Sequence, residues 1–578
     1  MISMIIHVFY MNLIEEKIKE ALHQAGVQGD ITFSQPPKPE MGDLAFACFD
    51  LAKKEGKNPV EIARELSEKI KRLKDYKIIE RVEAMGPYVN FWLNAGEVAK
   101  LVINEVNKKD FGKGKFGKGK KVMVEFAHPN THKPVHIGHL RNMITGESLV
   151  RIMENFGYKV IRANYQGDVG LHIAKCLWGI FQSEDYEFKV KSIKGVGERA
   201  KFLGQAYAVG GKAYEADEKA KKEIVELNEK IYHQDRAVKS LYKLTRKWSL
   251  EYFDYIYKKV GVRKFDRLYF ESEAFELGCK IVLDGVKSGI FVESQGAIIF
   301  EGSKHGLHDR VFINNKGLPT YEAKDQALAR MQFKEYNPDE IVHVVAKEQT
   351  EYFKVIFKAL EFTLPKSKDR EKHLIYGWVT LKEGKMSSRT GQVVLAEWLI
   401  DEVEKKIAEV MRVRDMKDKK ETIEKISLAA IKYSILKTGI ENDIVFDFNE
   451  SISLTGNSGP YLLYVVTRIN SLLLKSKIKN HKSRMFDLLT TGEEKKLLLT
   501  LGEYSEVVKK ALENKNPSVI AKYCFDLAQA FNDFYNKHSV LSAENSDLVK
   551  ARLALCGAVR KVLVDALGLL TIETVDEM

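Results

Sequence analysis

The hydrophobic positions of this chain follow different periods in different stretches, and the changes divide it into regions. From Met11, "MNLIEEKIKEALHQAG" places apolar residues three and four apart, the stripe of an amphipathic helix. In "NPVEIARELSEKI", Asn58 stands as N-cap, Pro59 at the first helical position and Glu61 three residues after the cap, a helix start. "VEAMGPYVNFWLN" alternates about a Gly86-Pro87 turn and reads as strand. Residues 1–110 are therefore expected to form a small α/β unit. The tandem "FGKGKFGKGK" at 111–120 follows, and its glycine and lysine content predicts a flexible basic connector.

Past residue 120 strands and helices alternate. "KVMVEF" is a short apolar run, then a turn, then the helix "GHLRNMITGESLVRIMENFG". "YKVIRANYQGDVG" repeats the order of strand, glycine-rich turn and helix. Such alternation predicts a doubly wound parallel sheet over 121–396. Residues 185–265 are almost uniformly helical and charged, which marks an insertion. Alternation resumes through "RVFINNKGLPTYEAKDQALARM" and "EIVHVVAKEQTEYFKVIFKAL" to "HLIYGWVTLKEGKMSSRTGQVV". From 397 to 578 only the helical period remains, so a helical bundle without strands is expected.

Composition narrows this picture. A chain of 578 residues exceeds one hydrophobic core, and 45% hydrophobic with 30% charged residues suits an ordinary globular protein. The net charge of +12 and pI near 9.0 favour polyanionic partners such as nucleic acid. Five scattered cysteines with no CxxC pair predict a reducing compartment, no disulfides and no structural zinc. The opening "MISMIIHVFY" is apolar but too short to span a bilayer and lacks a basic flank. A cytoplasmic protein is expected, with either Met1 or Met11 as its start.

Chemistry concentrates in "EFAHPNTHKPVHIGHLRN", Glu125 to Asn142. His136 and His139 are three apart and share a face of the helix that begins there. Gly138 between them leaves the backbone open to a flat ligand, and the helix N-terminus offers free N–H groups to phosphate. A second stretch, "GKMSSRTG", sets Lys385, Ser387, Ser388 and Arg389 in a glycine-flanked loop suited to closing over a triphosphate.

Found in this order in one α/β domain, the two stretches resemble the HIGH and KMSKS motifs of class I aminoacyl-tRNA synthetases. Ser388 stands where the second lysine often sits, with Arg389 next, while Lys385 is retained. "VEFAHPNTHKPVHIGHLRNMITGESL", "TYEAKDQALA", "VVAKEQTEYF", "HLIYGWVTL", "GNSGPYLLYVVTRI" and "FNDFYNKHSVL" are similar to the arginyl-tRNA synthetases. So are "GDLAFACFDLAKKEGKNPVEIA" and "GPYVNFWL" in the N-terminal unit. The resemblance covers nearly the whole chain in family order, apart from the first ten residues. It implies a Rossmann-type catalytic domain, a small tRNA-contacting N-terminal domain and an anticodon-binding helical bundle.

An arginine substrate presents a planar cation with five N–H donors, which calls for carboxylates and neutral acceptors. Tyr321 and Asp325 are four apart, on one face of the predicted helix. The resemblance implies that they read the guanidinium and that Glu125, Asn130 and Gln349 complete the pocket. It further implies that His136, Gly138 and His139 hold ATP and stabilise the pentavalent α-phosphate. Lys133 and Lys385 would neutralise the departing pyrophosphate, with Ser387, Ser388 and Arg389 also on ATP. The substrate carboxylate would attack, so catalysis is positioning and electrostatics, with Mg²⁺ carried by ATP. The arginine would then pass to the 3′-terminal ribose of its tRNA, and activation before that step would need tRNA present.

Asp168 in "GDVG" either touches substrate or caps its own helix. His128 and His132 depart from the small residues common in the family and either pack against the pocket floor or shift neighbouring protonation. For tRNA, Tyr535 is expected to stack on an anticodon base, the segment ending at Met578 to support the anticodon loop, and Asn90 and Phe91 to touch the elbow. A monomer is expected. The rivals are a class I synthetase for another amino acid and a non-catalytic tRNA-binding paralogue. The first would need an editing insertion or a zinc-cysteine site for the types weighed. The second is opposed by the retention of His136, His139 and Lys385. A small-molecule nucleotidyltransferase would have no use for the large helical C-terminal region.

Overall fold

The computed structural model describes residues 13–73, 75–382, 394–411, 419–476 and 486–578. At the N-terminus, α1 (Leu13–Gln24), α2 (Phe49–Glu55), α3 (Pro59–Lys71) and α4 (Ala95–Val106) accompany a four-stranded antiparallel sheet. Its strands β1 (Phe33–Ser34), β2 (Leu44–Ala47), β3 (Ile79–Met85) and β4 (Tyr88–Leu93) lie in the order β1-β2-β4-β3. Asn58 caps α3 as its sequence requires, accepting from the Val60 N–H at 2.9 Å.

The expected flexible connector is a folded one. The Gly114 and Gly117 N–H groups donate to the Asn155 and Phe156 carbonyls at 3.1 and 2.9 Å, and Phe116 stacks on Phe156. A Cβ on Gly114 would lie 2.1 Å from the Phe156 ring, and one on Gly117 2.2 Å from the Tyr158 ring. These glycines serve close approach rather than flexibility.

The central sheet is parallel throughout, in the order β12-β11-β5-β6-β7. It is reached through β5 (Lys121–Glu125), α5 (Ile137–Asn155), β6 (Lys159–Gln166) and α6 (Leu171–Phe181). The insertion follows as α7 (Tyr186–Ser192), α8 (Val196–Ala216), α9 (Glu218–Tyr232) and α10 (Arg236–Lys259). Then come β7 (Arg267–Phe270), α11 (Glu271–Lys287), two strands not anticipated, β8 (Val292–Ser294) and β9 (Ala297–Phe300), and β10 (Arg310–Ile313), the strand expected in "RVFINN". These form a small antiparallel sheet. The domain continues with α12 (Tyr321–Glu335), β11 (Glu340–Ala346), α13 (Thr350–Thr363), β12 (Glu371–Tyr376) and β13 (Val379–Leu381).

The C-terminal region holds α14 (Ala396–Val410), α15 (Lys419–Leu436), β14 (Ile444–Phe446), α16 (Phe448–Ser451) and α17 (Gly459–Lys475). It ends with α18 (Gly492–Gly502), α19 (Tyr504–Glu513), α20 (Ser518–Lys537) and α21 (Ser546–Leu569). The expectation of no strand after 397 is corrected by β14, which pairs parallel with β13 through Thr380 and Val445. Three residues are too few to show a period of two. Buried Arg141 of α5 seals this junction, donating to the carbonyls of Gly377, Trp378, Ile440 and Asn442 at 2.7–3.0 Å. Among the described residues no helix is long and apolar enough to cross a membrane.

Candidate active site

The turn between β5 and α5 carries backbone strain. Ala127, His128 and His132 have φ of +80°, +46° and +63°, a region that costs side-chain-bearing residues about 1–3 kcal/mol each. Buried amides hold it in place. Asn142 Oδ1 accepts from the Ala127 N–H at 2.6 Å, and Asn164 Oδ1 from the His128 N–H at 3.2 Å. Gly167 of the next turn accepts from the Thr131 N–H, and a Cβ there would meet Asn130 Oδ1 at 2.1 Å.

His136 is the N-cap of α5. Its Nδ1 accepts from the N–H groups of Gly138 and His139 at 3.1 and 3.4 Å, while His139 Nδ1 accepts from the His136 N–H at 3.3 Å. The two rings stack with centroids 3.7 Å apart. Both Nδ1 atoms are acceptors, so each neutral ring carries its proton on Nε2. Burial, assisted by the charge of Lys133, pushes the His136 pKa down to about 4. Burial and the neighbouring His136 hold His139 well below its ordinary value. Two uncharged N–H donors at a helix N-terminus result. A Cβ on Gly138 would come within 3.0 Å of the His136 ring, so this glycine makes room for the cap itself.

The pair borders a cavity of about 680 Å³. Eight anticipated residues line it: Glu125, Asn130, His136, Gly138, His139, Tyr321, Asp325 and Gln349. Lys133 is not among its lining residues; its ammonium lies over the Tyr207 ring of α8, 5.2 Å from the centroid. Lys385, Ser387, Ser388 and Arg389 lie outside the described residues. Beyond that stretch, Val394 accepts from the Ile137 N–H and Val135 from the Ala396 N–H, which ties the chain back to the His136 turn.

The cavity lining is rich in carboxylates. Burial raises the Asp325 pKa to about 7 although the Tyr352 hydroxyl donates to its Oδ2 at 2.7 Å. Burial also raises Glu271, whose Oε2 accepts from the buried Lys324 ammonium at 2.6 Å. Burial opposes the charge on Glu125, but the neighbouring His343 outweighs it and holds that carboxyl below its ordinary value. His343 is buried too, yet Glu125 and Glu371 hold its pKa well above the usual histidine value. Glu271, Gln332, His343, Tyr352 and Glu371 also line the cavity and were not anticipated. The buried Oε1 atoms of Gln332 and Glu371 have no hydrogen-bond partner among the described residues, leaving acceptors for a donor-rich ligand.

Three further expectations resolve. Asp168 does not cap α6 and does not line the cavity. Fully buried, it accepts from the Ser272 N–H and hydroxyl and from Arg246, which pins the turn after β6 to α10 and α11. His132 lies away from the cavity, its ring bonded to Thr131 and to Thr245 of α10, and burial lowers its pKa to about 3. His128 does line the cavity, and burial keeps it below the ordinary histidine value.

Residues 98–448 match the family model described as "tRNA synthetases class I (R), catalytic domain". Residues 462–578 match "DALR anticodon binding domain", and residues 12–93 match "Arginyl tRNA synthetase N terminal domain". An arginine–tRNA ligase of Treponema denticola is 35% identical over 563 residues, 95% of each chain. That of Clostridium perfringens is 34% identical over 579 residues, 98% of this chain and all of its own. The chain belongs to the arginyl-tRNA synthetases. The solved structure of the Thermus thermophilus arginyl-tRNA synthetase shares the fold, with a TM-score of 0.77 at 24% identity over 98% of this chain and 99% of its own. The Plasmodium falciparum arginyl-tRNA synthetase structure does so at 0.74 and 21%, over 99% of this chain and all of its own.

In this synthetase the catalytic match extends past the boundary expected at 396, as the β13–β14 pairing does. Asn90 and Phe91, expected to touch the tRNA elbow, are not exposed in the chain alone. Both side chains are buried, one on each face of β4. Asn90 donates to the Met41 carbonyl at 2.7 Å, and Phe91 packs edge-on against Phe33. Tyr535 is half-buried between Phe531 and the Arg468 guanidinium, and Met578 packs against the bundle core.

Proposed function

We propose that this chain activates arginine with ATP and transfers it to the 3′-terminal ribose of its tRNA. The observation that carries the reading is one cavity joining two neutral imidazole donors at a helix N-terminus to a carboxylate-rich lining. Asp325 and Tyr321 receive the guanidinium, and Glu125, Asn130 and Gln349 complete the arginine site. Arginine enters as a cation, which favours the ionised form of Asp325 and offsets the cost of burying its charge.

The arginine carboxylate attacks the α-phosphate of ATP. His136 and His139 donate from Nε2 to the phosphoryl oxygens, where negative charge grows as the pentavalent state forms. Neutral rings suit this role because they gain and lose no proton. Lys133, whose charge already reaches both rings, and Lys385 balance the leaving pyrophosphate. Ser387, Ser388 and Arg389 act with Lys385 on ATP, and Mg²⁺ enters as the counter-ion of that substrate. Tyr535 and the segment ending at Met578 support anticodon recognition. The enzyme acts as a monomer in the cytoplasm, a reading supported by five free cysteines suited to a reducing compartment.

The test is ATP–pyrophosphate exchange with each amino acid in turn, with and without tRNA. Exchange with arginine alone, and only when tRNA is added, is expected. Exchange with another amino acid would overturn the pocket assignment. Tyr535→Ala should weaken tRNA use while leaving the KM for arginine and ATP unchanged.

A further inference from the structure

We infer that His343 is a positioning residue of the arginine site: its ring, bridged between Glu125 and Glu371, holds the Glu125 carboxylate in place to receive the cationic amino acid. The inference rests on the arginine pocket proposed above. His343 of β11 and Glu125 of β5 are register partners on neighbouring parallel strands, so the sheet itself brings them together. His343 Nδ1 lies 3.1 Å from Glu125 Oε1, and Nε2 lies 2.7 Å from Glu371 Oε2 on β12. A neutral imidazole donates from one nitrogen only, so a ring that satisfies two carboxylates is doubly protonated.

Glu125 is thereby gripped at both oxygens. His343 faces Oε1, and the Gln332 amide of α12 donates to Oε2. Each carboxylate oxygen has a second lone pair, and all four residues line the cavity. Phe353 and Phe357 of α13 flank the imidazole at 5.3 and 5.8 Å and keep it in one orientation. The titratable groups facing it are Glu125 of β5, His128 of the turn after β5, Glu371 and His373 of β12 and Asp325 of α12. The same ring charge favours the ionised form of both Glu125 and Asp325; it prevails at Glu125, while at Asp325 burial outweighs it.

The experiment is steady-state aminoacylation by the full-length His343→Gln variant from acid to mildly alkaline pH, beside Glu125→Gln and Glu371→Gln. Glutamine keeps one hydrogen bond but removes the charge. The KM for arginine should rise about 10–100-fold, by analogy with the loss of a residue that orients a metal ligand from the outer shell. The KM for ATP should stay within about twofold, and the acid limb of kcat/KM for arginine should move to higher pH as both carboxyls lose their cation. A role in stability alone would lower the melting temperature and move neither. Glu371→Gln leaves the ring in place but makes it lose its proton at lower pH, so arginine use should fall at lower alkalinity than in the wild type. If Glu125→Gln raises the arginine KM while His343→Gln and Glu371→Gln keep the wild-type KM and profile, the inference fails alone. If Glu125→Gln itself leaves the arginine KM unchanged, the pocket reading fails and takes the inference with it.

Discussion

Replacing Asp325 by asparagine sets function against stability at one partly buried carboxyl. In the fold its pKa rises from the ordinary 3.8 to about 7, because burial and the charge of Glu125 outweigh the Tyr352 hydrogen bond. Arginine binding needs the carboxylate. At about pH 6 roughly one tenth of the free enzyme carries it, so wild-type kcat/KM for arginine should fall about tenfold between pH 8 and pH 6. Asp325→Asn loses the charged partner of a guanidinium, worth about 2–5 kcal/mol, or roughly 30- to 5,000-fold in kcat/KM at pH 8. The stability effect has the opposite sign. The folded state binds this proton more tightly than the unfolded chain, so stability falls as pH rises from 3.8 to about 7 and stays low above it. That interval is worth about 4 kcal/mol as an upper figure. The asparagine variant should therefore melt higher than wild type at pH 8 while being nearly inactive. Aminoacylation with varied arginine and thermal unfolding at both pH values provide the readouts. A flat wild-type profile between pH 6 and 8, or an asparagine variant with normal arginine kinetics, would refute the reasoning.

His136→Ala removes an N-cap worth about 1 kcal/mol and one phosphoryl donor; kcat for pyrophosphate exchange should fall about 10²–10³-fold with the arginine KM little changed. Lys324→Met strands the buried Glu271 carboxylate, so urea unfolding should show a loss of about 3–5 kcal/mol, largely recovered in the Glu271→Gln/Lys324→Met double variant. Gly114→Ala forces a methyl against the Phe156 ring and should cost about 1–3 kcal/mol in the same assay; a truly flexible connector would tolerate it without loss.

How much the sequence discloses depends on how local the determining interaction is. The His136 cap, the start of α3 and the alternation behind the parallel sheet are set within a few residues, and each is legible as a pattern. The arginine-side residues Glu125, Asp325 and Gln349 come from three distant stretches, and only family resemblance joined them before the fold did. His343 escaped because it sits inside the apolar run "EIVHVV", where a single histidine reads as one more buried strand residue. Its meaning lies across the sheet, in Glu125 and Glu371. Composition also cannot separate a glycine used for freedom from one used for contact, which is why 111–120 misled. Strand alternation likewise does not show that both faces of β4 are covered, as they are at Asn90 and Phe91.

One helix gives the arrangement its coherence. α5 is buried along nearly its whole length, so its polar residues need partners, and most of them find backbone rather than side chains. At its start are the two histidines. One turn on, Arg141 holds the carbonyls around the β13–β14 junction, and Asn142 bridges the Ala127 N–H and the Val344 carbonyl. In its last turns, the Ser148 hydroxyl and Arg151 donate to the carbonyls of Leu569 and Gly568 at the end of α21. A 19-residue helix is a rod about 28 Å long with little give along its axis. Contacts to backbone carbonyls fix where an element lies with little regard to its side chains. The distance from the imidazole pair to the end of the anticodon-binding domain is thus set by one rigid element. A strained turn at its head is tolerable because the rod cannot shift to relieve it.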